Sequence, residues 1–282
     1  MEYTIKNDKI SVTVAGLGAE IVSVIAGGKE RVWQNPTGEW AGHGPVLFPV
    51  CGHCGVTVDG VSYPIKSHGF AKLEVFALKD KGEDFITLSL SANKETKKVF
   101  PFEFIFDVTY RIDGETLYIE YDVQNPADKP LYFACGGHES FALDCDVDGY
   151  ELQFDKEESL THYYHNKAGF LTGETAEYGN GQPLPLPIDF LQEGATLIFK
   201  NVRSNKVNLA RKGGNAIASI TFEGFENLLV WRAGEAKYVC IEPWTNLPDL
   251  VDVPDKEFSK KEGVIKVEAK SSKKLVRTIA YL

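Results

Sequence analysis

Two short segments of the chain combine groups that can give and take protons. The first is Gly136-Gly137-His138-Glu139-Ser140-Phe141, where paired glycines allow a sharp backbone turn and leave the His138 imidazole in an open space. Imidazole titrates near neutrality, so His138 can act as proton donor or acceptor; the bland alternative is a core or surface histidine beside a turn. The second is Cys240-Ile241-Glu242-Pro243-Trp244-Thr245-Asn246, which sets a carboxylate at the end of an apolar strand, ahead of a proline expected to stop the ladder. A glutamate partly desolvated at a strand mouth has a raised pKa and can work as a base near pH 7. Trp244 beside it offers an aromatic platform for a sugar, and an exposed loop glutamate is the competing reading.

Further histidines stand in Gly44-Pro45-Val46-Leu47-Phe48-Pro49-Val50-Cys51-Gly52-His53 and in Ser67-His68-Gly69-Phe70. Cys51, His53 and Cys54 form a C-x-x-C with an inserted histidine, and His43 and His68 are near in sequence. Thiolate and imidazole suit zinc. A structural zinc site brings a second ligand pair at regular spacing, however, and none is evident, so buried cysteines flanking a strand are expected and no metal is assigned. The run His162-Tyr163-Tyr164-His165 reads as an aromatic strand face, with the lining of a sugar cleft as the alternative.

The elements that must position these groups are strands. Phe104, Phe106, Val108 and Tyr110 alternate with polar or outward positions, as do Leu117, Ile119, Tyr121 and Val123, and Asp113-Gly114 between them suits a tight hairpin turn. Asp59-Gly60 repeats the signal between Val56-Thr57-Val58 and Val61-Ser62-Tyr63. Other strand-like runs are 10–14, 21–25, 85–90, 197–199, 216–222, 239–241, 264–269 and 275–282, while 94–99 and 255–261 allow a turn or two of helix. Gln182-Pro183-Leu184-Pro185-Leu186-Pro187 cannot be a central strand, because its prolines remove ladder donors, and is expected to be a connecting loop. The pattern predicts one all-β domain over 1–282, a large antiparallel β-sandwich.

The ordered set Trp33-Gln34-Asn35-Pro36, Trp40, the segment 45–52, His68-Gly69-Phe70, Gly136 to Phe141 and Cys240 to Trp244 resembles the aldose 1-epimerase (galactose mutarotase-like) family, in particular its bacterial aldose 1-epimerase-like subgroup. The resemblance implies the supersandwich fold and a cofactor-free interconversion of the α and β anomers of a hexose. It implies that His138 is the general acid that protonates the ring oxygen. Glu242 would be the base that takes the anomeric proton, and His68 a second histidine that contacts the sugar. The pair is expected to face each other across a cleft, far enough apart to hold a sugar ring. Three positions depart from the family pattern: His53 where an arginine binds a sugar hydroxyl, Ala195 in Glu193-Gly194-Ala195-Thr196-Leu197 where an aspartate stands, and Glu139 where a proline follows the histidine. His53 is carried as a substrate-binding residue with His68 and Trp244. A non-catalytic carbohydrate-binding protein on the same fold is the alternative, and a metal-dependent hydrolase a distant third.

Charge narrows the partners. Thirty basic and forty acidic residues leave the 282-residue chain at −10, which opposes nucleic acid and anionic membrane surfaces. The stretch Lys270 to Arg277 reads as a solvated hairpin. No apolar run approaches the ~18 residues of a membrane span, the start lacks a secretory pattern, and five cysteines argue against a disulfide framework. The expectation is a cytoplasmic monomer or homodimer. No arginine occurs from Val32 through Tyr110, which favours a neutral aldohexose over its 6-phosphate unless Arg203, Arg211 or Arg232 reaches the cleft.

Overall fold

A computed structural model describes residues 1–180, 183–187, 189, 191, 195–253 and 256–282, and its strands are antiparallel throughout the named ladders. Among the described residues the larger sheet has nine strands, in the order Leu184–Pro185, Tyr150–Phe154, Lys206–Arg211, Ala216–Thr221, Ser272–Tyr281, Thr116–Gln124, Ile105–Asp113, Phe85–Ser91 and Ala77–Lys81. The second has eight: Leu171–Asn180, Ser159–His165, Leu197–Phe199, Asn227–Trp231, Tyr238–Trp244, Gly136–Gly137 and Val46–Leu47, with Glu139–Ala142 also laid against Tyr238–Trp244. A four-stranded sheet from Glu2 to Glu30 adds its apolar face to the same core.

The alternation seen in the sequence maps onto this core. Phe106, Val108 and Tyr110 are buried against Leu117, Ile119 and Tyr121, and the Ile105–Asp113 and Thr116–Gln124 strands pair in register down to Asp113 opposite Thr116. At the second hairpin Val58 opposes Val61, and Asp59 (φ 51°) and Gly60 (φ 77°) both take the left-handed conformation of a type I′ turn. The short helical stretches are single turns, Thr96–Val99 and Phe258–Lys260; Asp255 lies outside the described residues.

Two expectations about the chain are corrected. Leu184–Pro185 forms a short strand on the edge of the nine-stranded sheet, where proline's missing donor faces no neighbour; Gln182 of that segment lies outside the described residues. The stretch from Lys270 is not a solvated hairpin at its far end. Arg277 sits within the Ser272–Tyr281 strand and is fully buried, because the Glu139 carboxylate reaches it from the opposite sheet.

Candidate active site

The Tyr238–Trp244 strand explains how distant residues meet. Its odd positions Val239 and Ile241 enter the main core, while Tyr238, Cys240, Glu242 and Trp244 share the other face. The strand runs through Pro243 to Trp244, so Glu242 is not at a strand end as expected. The ladder beside it has a break: Gly136 pairs with Trp244 and Glu139 with Ile241, leaving His138 between the two short strands and opposite Glu242. The proline, which has no N–H to give, coincides with this gap.

His138 and Glu242 therefore form a cross-strand pair. His138 Nε2 lies 3.3 Å from Glu242 Oε1. This corrects the expected ring-wide separation: the two groups share one wall and touch. They form part of the wall of a cavity of about 570 Å³ that also takes in His68, His53, Trp40, Trp231 and Trp244. Trp40 stacks on the His138 ring (centroids 5.1 Å apart, 30° between planes) and Trp231 meets it edge-on at 5.6 Å. His68 stands edge-on to both His138 (5.7 Å) and Trp244 (5.2 Å). Trp244 is 3 % exposed, so it borders the cavity with its rim rather than as an open platform.

The segment around His68 is held by backbone contacts. His68 (φ 64°) and Gly69 (φ 71°) are both left-handed, and a Cβ on Gly69 would fall 2.1 Å from the Phe48 carbonyl oxygen. The Gly52 N–H donates to His68 Nδ1 at 3.2 Å, which places the proton of neutral His68 on Nε2. Gly137 has a similar reason for lacking a side chain: a Cβ there would fall 2.3 Å from the Arg277 guanidinium carbon. Arg277 donates through Nη1 and Nη2 to both Glu139 oxygens, and through Nη2 to the Tyr121 hydroxyl at 2.8 Å. Glu139, next to His138 in sequence but facing the opposite side of the sheet, thus ties the histidine's strand to the other half of the sandwich.

Burial governs the charges. It pushes the Glu242 carboxyl well above its usual range, with the Glu139 carboxylate adding to the effect. It lowers His138 to about 3, with Lys72 adding repulsion, and holds His68 well below the ordinary histidine value, helped by His138 and Lys72. A hydrogen bond from the Trp244 side chain to the Glu242 carboxylate opposes part of the rise at Glu242.

His53 lies on the cavity wall, stacked on Phe170 at 4.9 Å. Cys51 packs beneath Trp244 and Cys54 in the main core, so the C-x-x-C thiols join different clusters; all five cysteines are free. The His162–His165 run divides. His165 lines the cavity, its Nε2 accepting from Thr196 N–H at 3.0 Å. Tyr163 and Tyr164 line a separate hollow, and His162 is buried beside Phe199. Thr196 borders the cavity near the expected aspartate position, next to Ala195; Glu193 and Gly194 lie outside the described residues. Arg203, Arg211 and Arg232 are not among the cavity residues, and Arg232 is buried on Asp146 at 2.7 Å. Trp231, Lys72 and Cys240 were not singled out from the sequence as site groups. Trp231 belongs to a strand whose apolar run shows no alternation, and Lys72 sits in the single turn Ala71–Leu73 that follows His68.

The sequence profile of aldose 1-epimerase matches residues 1–266. Protein LacX (chromosomal) of Lactococcus lactis subsp. lactis is 27 % identical over 269 residues, 88 % of each chain. A galactose mutarotase-like protein from Lactobacillus casei superposes with a TM-score of 0.91 at 29 % identity, covering 100 % of both chains. A galactose mutarotase related enzyme from Lactobacillus acidophilus gives 0.90 at 27 %, covering 100 % of this chain and 97 % of that one. With its fold, its paired histidine and glutamate and a profile match over nearly its whole length, the chain belongs to the aldose 1-epimerase family.

Proposed function

We propose that the protein is an aldose 1-epimerase that interconverts the α and β anomers of a neutral hexose, with His138 and Glu242 as its proton-transfer pair. The observation that carries this reading is their 3.3 Å contact on the wall of a cavity with room for a hexose. Mutarotation removes the proton of the anomeric hydroxyl and protonates the ring oxygen. Both oxygens are bonded to the same carbon, so donor and acceptor need to be neighbours, not partners across a ring. One group takes the hydroxyl proton as the other gives its proton to the ring oxygen. The ring opens, the bond to the carbonyl carbon rotates, and reclosure runs the transfers in reverse, with no cofactor. The family resemblance implies Glu242 as base and His138 as acid; burial favours the neutral pair, and moving its one proton along the 3.3 Å contact from Glu242 to His138 gives that acid and that base.

His68 Nε2–H supports the substrate as a donor, because its Nδ1 is already engaged by Gly52. Trp40 and Trp231 hold the His138 ring and supply apolar walls for the sugar's C–H faces. Among the described residues no arginine lines the cavity, and its cations Lys72 and Lys167 share the lining with Glu20, which supports a neutral aldose. Anomer exchange of glucose, galactose and glucose 6-phosphate, followed by NMR magnetisation transfer at fixed ionic strength, tests the proposal. Catalysed exchange is expected, faster for the neutral sugars. Sugar binding without exchange would favour a carbohydrate-binding module, and faster turnover of the phosphate ester would overturn the preference.

A further inference from the structure

Cys240 carries a thiol, a potential metal ligand, that the proton-transfer scheme leaves unused although it stands beside both of that scheme's groups. It stands two residues before Glu242 on the same strand and on the same face. Its sulfur, a His138 ring nitrogen and a Glu242 carboxylate oxygen all lie within 4.8 Å of one another, and all three residues are buried. A thiolate, an imidazole and a carboxylate this close together make a donor set suited to zinc, whereas magnesium and calcium require a shell built of oxygens. Glu242 is 1 % exposed and its Oε1 faces His138 Nε2 at 3.3 Å, so two of the three donors already meet inside the protein.

We propose that His138, Cys240 and Glu242 form an inhibitory site for a zinc-like divalent cation, which captures both proton-transfer groups when it binds. The histidine nitrogen and carboxylate oxygen are already 3.3 Å apart. The sulfur, within 4.8 Å of both, would draw in by side-chain rotation until all three donors reach the bond lengths of zinc, roughly 2.0–2.3 Å. Trp33 and Tyr238 pack with Cys240 in one apolar cluster, with Trp40 and Trp231 against it, while His138 and Glu242 line the cavity, the side from which an ion would enter. Metal and sugar compete, because the ion occupies the lone pairs that the reaction needs. The binding claim stands on the three donors alone, whereas the inhibition rests on the function proposed above.

Cobalt(II) alone, titrated into chelator-treated protein, reads the site directly. The expected result is one Co²⁺ per chain with a sulfur-to-cobalt charge-transfer band, displaced by Zn²⁺. Cys240→Ser should abolish the band, Cys145→Ser should keep it, and His138→Asn should weaken binding by more than about 10-fold, the lower end of what losing even an outer partner costs. Stoichiometric Zn²⁺ should stop anomer exchange, and chelation should restore it. Wild-type protein without the charge-transfer band, or a band that survives in folded Cys240→Ser, would overturn the site. Absence of anomer exchange in metal-free wild type would remove the proposed function instead, and the cobalt spectrum would still decide the site.

Discussion

His162 shows how burial, with a neighbouring histidine adding to it, can make a side chain sensitive to acid. It is 1 % exposed, its Nδ1 accepts from the Ile198 N–H at 3.2 Å, and burial lowers its pKa from 6.5 to about 4. The folded protein thus keeps this ring neutral at a pH where the unfolded chain has already taken up a proton. As pH falls from 6.5 toward 4 the unfolded state gains relative to the folded one; above 6.5 the contribution is complete. Urea unfolding between pH 7.5 and 4 should therefore show stability falling with acid, and His162→Gln, which keeps an acceptor for Ile198, should flatten that fall. An equally steep loss in the variant would show that His162 is not one of the groups responsible.

At the scale of elements, the turn that presents His68 is the most demanding piece of backbone in the site. Gly69→Ala would force a left-handed alanine and drive its Cβ into the Phe48 carbonyl. A loss of stability above the ~1–3 kcal/mol of backbone strain is expected, together with weaker sugar binding, measured by denaturation and by calorimetry. The strands with one solvated face were readable in the sequence because they alternate: Thr116–Gln124 is buried at every second residue. Asn227–Trp231 and Tyr238–Trp244 lie inside the eight-stranded sheet with both faces covered, so nearly every residue is buried and period two disappears. That silence hid Trp231. His138 and Glu242 were readable by residue type and by family resemblance, but their contact was not. It depends on the register between Gly136 and Trp244, a pairing between segments far apart in sequence that no local pattern encodes.

Across the whole molecule, the Glu139–Arg277 pair joins the sheet that carries His138 to the nine-stranded sheet behind it. Both side chains are buried, so removing one leaves a charge without compensation. Arg277→Met should cost about 3–5 kcal/mol, and Glu139→Leu combined with it should recover much of that loss, as replacement of a whole buried pair often does. Equal destabilisation in the single and double variants, by denaturant titration, would argue against a paired charge. The same two-sheet frame leaves the eight-stranded face to hold the cavity and its His138–Glu242 pair. Anomer exchange by magnetisation transfer, for wild type, Glu242→Gln and His138→Asn on one neutral aldohexose with sugar binding measured alongside, tests the proposed proton transfer most directly. Exchange by the wild type and a fall of ~10²–10⁴-fold in each variant with binding retained are expected; wild-type exchange rates in Glu242→Gln would exclude it as the base.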